Sequence, residues 1–304
     1  MLIREIEIPF MQYVTSLQNP VTDVAAYVLT FLGNELFYFL MIPLIYWCLS
    51  KPFGIRLVYV FLLSVYTNSF LKFWFAVERP IGSEGIQSLF VASAEVGSHY
   101  PYDSFPSGHA QGSATLWGMV AITLRSRAFW VFAVVLVFLI SVSRLYTGLH
   151  WPVDVVTGMT VAALILVIFV KTEKWISGWS LKAKWMAVFL VPLLMMVIFP
   201  ASEGINYGAF LLGAGIGYMI EARYVGMKIS KSWLRKAGAL LVGLAGLFLI
   251  QEGVKAALPQ NLLTGGIRYG LIGLWGLLCA PWLFVKMRLY SSDETQRRRK
   301  LKAG

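Results

Sequence analysis

The chain has 304 residues, 58% of them hydrophobic and 13% charged, with a formal net charge of +11. A composition this apolar excludes an ordinary soluble domain and implies an integral-membrane protein that crosses the bilayer many times. The two cysteines, Cys48 and Cys279, lie far apart in apolar segments without metal-ligand spacing, and they read as small core residues.

From the N-terminus, Leu2 to Leu17 mixes Arg4, Glu5 and Glu7 with apolar residues, the pattern of an interfacial amphipathic helix rather than a signal peptide. Asn19-Pro20 breaks the chain, and Val21 to Gly33 predicts a short half-buried helix leading into the first span. Apolar windows of crossing length follow at roughly 34–50, 55–77, 110–124, 129–147, 153–171, 183–200, 207–221, 236–251 and 269–288. The expected fold is therefore an all-α polytopic membrane bundle of about nine transmembrane helices.

Numbering the sides alternately distributes the 26 lysines and arginines very unevenly. One side receives 20, among them Lys51, Lys171, Lys174, Arg235, Arg288 and the run Arg297-Arg298-Arg299-Lys300, and the other receives only Arg4, Lys72, Arg79, Arg144, Lys255 and Arg268. This positive-inside bias predicts a multi-pass cell-membrane protein with an exoplasmic N-terminus and a cytoplasmic C-terminal tail. The net charge is then mostly topological. The basic tail reads as a segment held near anionic headgroups, and nucleic acid is not an expected partner.

Lys72, Arg79 and Arg144 sit beside spans on the cation-poor side, where ionisable groups are costly unless they pair or serve a function. Lys72 and Arg79 are seven residues apart, two turns on one helix face, with Pro80 closing the helix. Alone, this pair is no more than two snorkelling cations. Between them and Arg144 lies Phe105-Pro106-Ser107-Gly108-His109, where a polar loop turns into an apolar helix. There Pro106 is expected to set the first helical φ, and Ser107, Gly108 and His109 to leave backbone N–H groups unpaired. The helix dipole adds to those donors, so the turn is a candidate anion site. After Ser143-Arg144 come His150 and Asp154, four apart, with the carboxylate able to accept Nδ1–H and leave Nε2 free. That is the base-and-orienter half of a nucleophilic triad without a serine or cysteine, so the imidazole itself can attack.

Three cations around a helix start, with two histidines, suit a phosphoryl group. Glu78, Glu84, Glu95 and Asp103 show no ligand-like spacing, so no metal or other cofactor is expected. His99 lies in the preceding loop and reads as a surface residue, and the loop from Ile81 to Phe105 is expected to form part of a lid or headgroup wall.

The set Lys72-x6-Arg79-Pro80, Pro106-Ser107-Gly108-His109 and Ser143-Arg144-x5-His150-x3-Asp154 resembles the three-part signature of the type 2 phosphatidic acid phosphatase superfamily. The resemblance implies a catalytic core over residues 1–171, a six-helix unit counted with the amphipathic helix, and an additional region of transmembrane helices and basic tail at 172–304. It implies that His150 attacks phosphorus to form a phosphohistidine, oriented by Asp154, and that His109 protonates the leaving oxygen and then activates water. Lys72, Arg79, Ser107, Gly108 and Arg144 would hold the phosphoryl oxygens. The substrate would be a membrane lipid phosphate or diphosphate, such as phosphatidate or a polyprenyl diphosphate, reached from the bilayer at the exoplasmic face. Lipid phosphotransfer by the same pocket, or a non-catalytic phospholipid carrier, are the alternatives.

In the later spans Gly213-x3-Gly217 and Gly266-x3-Gly270 predict close helix packing. Glu203, Glu221 and Glu252, near span ends, are expected at the interface.

Overall fold

The computed structural model describes residues 2–94 and 100–292. His99, Glu95 and the run Arg297 to Lys300, on which expectations were placed above, lie outside the described residues.

The described residues are mostly helical. In order the chain forms α1 (Leu2–Ser16), α2 (Pro20–Phe31), α3 (Glu35–Leu44), α4 (Lys51–Phe75), α5 (Gly108–Leu124), α6 (Arg127–Tyr146), α7 (Pro152–Ser177), α8 (Leu181–Ile198), α9 (Ser202–Ile220), α10 (Trp233–Ala257), α11 (Leu262–Leu274) and α12 (Ala280–Lys286). A two-residue ribbon pairs β1 (Met227–Lys228) with β2 (Ser291–Ser292). All nine apolar windows fall on helix. Among the described residues six helical runs are long and apolar enough to cross a membrane, namely α4, α6, α7, α8, α10 and the Leu262–Lys286 run that joins α11 to α12. The pair Pro20–Phe31 and Glu35–Leu49, bent by 49°, makes a seventh if it is one broken span. The windows at 110–124 and 207–221 lie on α5 and α9, which carry polar groups: Gln111, Ser113 and Thr115 on the first, Glu203 and Asn206 on the second. The protein is a polytopic helical membrane protein.

Local sequence explains the element starts. Asn19 caps α2, its Oδ1 accepting from the Val21 and Thr22 amides, and Pro20 takes the first helical position, where its missing N–H costs nothing. α4 ends at Phe75, short of Arg79 and Pro80, because Ala76 adopts φ +44° while its N–H still bonds the Lys72 carbonyl. Arg79 is therefore on a loop and not on the Lys72 helix face as the spacing predicted.

Contacts divide the chain into two compact units, Met1–Phe39 with Leu63–Lys174, and Leu40–Leu62 with Trp175–Gly304. This grouping by contacts sets Leu40–Leu62 with the later helices, whereas the sequence division lies at 171 and 172. Those residues belong with the later helices because Trp47 donates through Nε1 to the Gly276 carbonyl at 2.9 Å and Lys51 pairs with Glu221 at 2.5 Å.

In the first unit, α6 packs against α1, α2 and α5. α1 turns its polar side inward. Glu7, Met11 and Thr15 are buried, whereas Ile6, Phe10, Tyr13 and Leu17 face outward. Glu7 accepts the Val153 amide at 2.9 Å and Arg4 at 2.7 Å, and the Arg4 guanidinium lies over the Trp151 ring. An outward apolar face with an inward polar one is the amphipathy of a helix bedded in the membrane interface.

In the second unit, α9 packs along α11 and α8. The glycine spacing is used as expected: a Cβ on Gly213 would collide with the Gly270 carbonyl, and one on Gly273 with the Phe210 carbonyl. Glu221 departs from expectation, since it is fully buried, paired with Lys51 and accepting from the Met227 amide at 2.8 Å. A carboxylate at that depth persists only with such partners. Cys48 is buried in this unit, its Sγ within reach of the Lys236 carbonyl and the Tyr290 hydroxyl.

Candidate active site

All eight residues singled out in the sequence belong to the first unit, on four segments: the end of α4 with its loop, the α5 start, the end of α6, and the turn into α7.

Arg79 is the hub. Its Nε and one terminal nitrogen make a forked pair with the Asp103 carboxylate at 2.8 and 2.9 Å, and the other terminal nitrogen donates to the Leu149 carbonyl at 3.0 Å and to His150 Nε2 at 3.1 Å. A guanidinium can only donate, so His150 Nε2 is the acceptor and its ring proton belongs on Nδ1. Lys72 reaches the same loop, donating to the Asp103 carbonyl at 2.5 Å and standing 3.7 Å from its carboxylate. Burial pushes the Asp103 carboxyl up, but the Arg79 hydrogen bonds and the charges of Lys72 and Arg79 outweigh it and leave the group below the usual range, ionised.

Asp154 ties three segments together. Its Oδ2 accepts from Ser104 Oγ at 2.5 Å and from the Trp151 amide at 2.9 Å, and its backbone carbonyl accepts the Ser107 amide at 2.9 Å. His150 Nδ1 lies 3.5 Å from Oδ2, close enough for an ion pair but too long for a good hydrogen bond. The expected Nδ1–H bond to the carboxylate is therefore present as proximity and not as a formed bond.

The α5 start also differs in detail. Ser107 is the N-cap, Gly108 is the first helical residue, and Pro106 precedes both, so the proline does not set the first helical φ. The Ser107 amide is spent on Asp154, while its hydroxyl makes no cap bond. Asn68 and Gln111 hold this turn: Asn68 Nδ2 donates to the Pro106 carbonyl at 3.2 Å and to Gln111 Oε1 at 2.9 Å, and Gln111 donates to the Ser64 carbonyl at 2.7 Å.

Arg144 is fully buried, and its two hydrogen bonds, to Thr30 and Ser93 hydroxyls, are long at 3.4 Å. Its Nε and second terminal nitrogen, together with Ser107 Oγ, His109 Nε2 and His150 Nδ1, have no hydrogen-bond partner among the described residues. Leaving one buried polar group unsatisfied costs about 1–3 kcal/mol. Several in one place, most of them donors, mark a position built for an acceptor-rich anion. Electrostatic coupling links His109 and His150 to each other, and both to Lys72, Arg79 and Arg144. His150, on the turn between α6 and α7, is held well below the ordinary imidazole range by burial first and then by those cations.

Sequence reasoning missed Asp103, Ser104, Asn68, Gln111 and Ser64. Ser64 and Asn68 had a signal, because Ser64, Asn68 and Lys72 repeat every four residues along one face of an apolar helix. Asp103 and Ser104 had none, since their partners lie 24 and 50 residues away.

Residues 53–177 match the family model of the PAP2 superfamily, and 205–292 match that of the PAP2 superfamily phosphatase transmembrane extension. The chain is 30% identical over 173 residues to the probable sphingosine-1-phosphate phosphatase of Dictyostelium discoideum, covering 52% of this chain and 40% of the relative. It is 29% identical over 220 residues to sphingosine-1-phosphate phosphatase 1 of Mus musculus, covering 67% of this chain and 49% of the relative. With the undecaprenyl-diphosphatase of Sulfolobus acidocaldarius it shares 32% identity over 126 residues, 41% of this chain and 57% of the relative. The matches thus span about half the length of these curated relatives.

Proposed function

We propose, from the premise that this chain belongs to the PAP2 superfamily, that it hydrolyses a lipid phosphate or diphosphate through a phosphohistidine on His150. The observation that carries this reading is the set of buried polar atoms on Arg144, Ser107 and His109 without hydrogen-bond partners among the described residues, in the unit where Arg144 and His109 are electrostatically coupled to a neutral His150. The relatives, phosphatases of sphingosine-1-phosphate and of undecaprenyl diphosphate, support the lipid phosphate class.

In this reading the phosphoryl oxygens lie against Lys72, Arg79, Arg144, Ser107 and the Gly108 backbone, which neutralise charge that grows as phosphorus becomes five-coordinate. His150 Nε2 forms the N–P bond as the P–O bond to the lipid breaks, and His109 gives its proton to the departing oxygen. Water then attacks phosphorus, passing a proton to neutral His109 while the N–P bond breaks and inorganic phosphate leaves. Asp154 positions His150 and balances its positive charge in the intermediate. Asp103 stays ionised and fixes the donors of Arg79 and Lys72. The positive-inside bias supports a pocket at the exoplasmic face and a cytoplasmic C-terminus.

The test is phosphate release from purified protein offered sphingoid, phosphatidic and polyprenyl phosphates with a chelator present. Wild type is expected to turn over at least one of them, and His150→Ala to lose at least about 10³-fold in kcat. Unchanged turnover in His150→Ala would reject the mechanism. Transfer of label to an acceptor lipid instead of water would move the reading to phosphotransfer. Labelling of single cysteines placed in the 81–94 loop and in the tail of intact cells tests the orientation, and tail labelling from outside would reverse it.

A further inference from the structure

Glu35 is a carboxylate of the first unit that the phosphatase chemistry leaves unused. It opens α3, just after the bend between α2 and α3, and the residues around it place it at the site. Thr30 Oγ1 lies 3.4 Å from an Arg144 terminal nitrogen and 3.4 Å from Ser143 Oγ. A Cβ on Gly33 would stand 3.0 Å from the His109 ring and 2.9 Å from Ile140. Asn34 caps α3, its Oδ1 accepting the Phe37 amide at 2.9 Å. Tyr38, three residues after Glu35 and so on the same helix face, meets Gly112 of α5, where a Cβ would stand 2.9 Å from its ring. With Gly33 at His109 and Tyr38 at Gly112, α3 runs alongside α5 in the same direction. Glu35 falls between those two contacts, at the level of the α5 start.

Its carboxylate is within electrostatic reach of Lys72, the cation already engaged by Asp103. Glu35 itself is exposed and makes no ion pair or side-chain hydrogen bond among the described residues. An ionisable group on an element that crosses the membrane is costly unless it serves a function. A first-turn acid does favour the α3 dipole, by about 0.3–1 kcal/mol, but that gain does not call for a place beside a phosphate site. There a lone carboxylate repels a phosphate dianion, and its charge becomes an advantage only when the phosphate arrives together with a cation.

We propose, resting on the phosphatase reading above, that Glu35 selects lipid phosphates bearing a free ammonium on the carbon next to the phosphorylated one, the sphingoid-base phosphate class, by pairing with that ammonium while Lys72, Arg79 and Arg144 hold the phosphoryl group. A lipid with a neutral hydroxyl at that carbon leaves the carboxylate facing the phosphate uncompensated, so the same residue that attracts one lipid disfavours the other.

The experiment measures kcat/KM of the full chain in detergent micelles for sphinganine 1-phosphate and for the analogue with a hydroxyl in place of the amine. Wild type is expected to favour the amine substrate by at least about tenfold, and Glu35→Gln to bring that ratio below about threefold, with Glu35→Asp between them. A wild-type ratio near one, or a ratio that Glu35→Gln leaves as it was, overturns the proposal while hydrolysis of both lipids keeps the phosphatase reading. A wild type inactive on every lipid phosphate overturns both. If Glu35 served only the α3 start, its loss would lower both rates together and leave the ratio intact. Should Glu35→Gln melt well below wild type, inhibition of wild type decides: free sphinganine is expected to inhibit at least about threefold more tightly than the matched alcohol, and equal inhibition overturns the proposal.

Discussion

Arg144 brings a full charge to a buried position and leaves two of its donors without protein partners, an arrangement that a lysine cannot imitate. Arg144→Lys is expected to reduce kcat/KM on a lipid phosphate by about 10²-fold, close to 2.7 kcal/mol; loss of less than threefold would mean those donors do not face the reacting phosphate. Asp103→Asn removes one partner from a buried pair and leaves Arg79 aimed less well, so KM should rise and the melting temperature fall, on the scale of about 3–5 kcal/mol for a broken buried pair. The depressed basicity of His150 has a directional consequence. At pH 7 its imidazole is neutral, as the proposed attack requires, so the acid limb of kcat/KM assigned to it should lie below the ordinary value of about 6.5. The same shift affects stability with a definite sign: as pH falls below about 6.5 the unfolded chain takes up a proton that native His150 does not, so this group lowers stability toward acid. Ring-nitrogen chemical shifts of His150 through a titration would check both, and a protonated ring at pH 7 would refute them. At this scale the signature letters were legible, but the Asp103 and Ser104 contacts were not, because each forms only when distant segments meet.

Among the elements, the approach of α7 to the N-cap of α5 is a close constraint on the site. A Cβ on Gly158 would stand 2.6 Å from the Ser107 carbonyl, so the α7 backbone approaches the α5 start as only glycine permits. Gly158→Ala should cost about 1–3 kcal/mol of stability, as overpacking does, and displace Ser107 enough to lower kcat/KM at least tenfold. Thermal unfolding and steady-state kinetics would show the two effects together, and an unaffected enzyme would argue against a rigid junction. Helix existence was plain from hydropathy. The ends were less so: the Lys72 helix stops at Ala76, where a positive φ that no residue pattern announced puts Arg79 on a loop. Glu7, which accepts the Val153 amide, was equally hidden, since an acidic residue on an amphipathic helix reads as solvated until the helix is docked.

At the scale of the whole molecule, the two units use different materials. The first is held by hydrogen-bonded polar side chains, the second by glycine faces along α9 and α11 and by the Lys51 and Glu221 pair. Gly213→Leu would drive a side chain into the Gly270 carbonyl, and thermal unfolding in detergent should register a loss of several degrees, whereas an unchanged melting point would deny the close approach. Hydropathy and glycine spacing announced the membrane-crossing helices and this packing. They could not announce that Leu40–Leu62 joins the later helices, because that depends on Trp47 finding the Gly276 carbonyl across 229 residues.

The three signature stretches look like interchangeable cassettes when written along a line, yet Arg79, which reaches the Leu149 carbonyl and His150 from the first to the third, and Asp154 make them one object. The Asp154 carboxylate holds Ser104 from the stretch before the second cassette, and its carbonyl holds Ser107 within it. A chimera that imports one stretch from a cousin inherits a mismatch with the other two, so recombination within this half of the chain should succeed only when the stretches travel as a set.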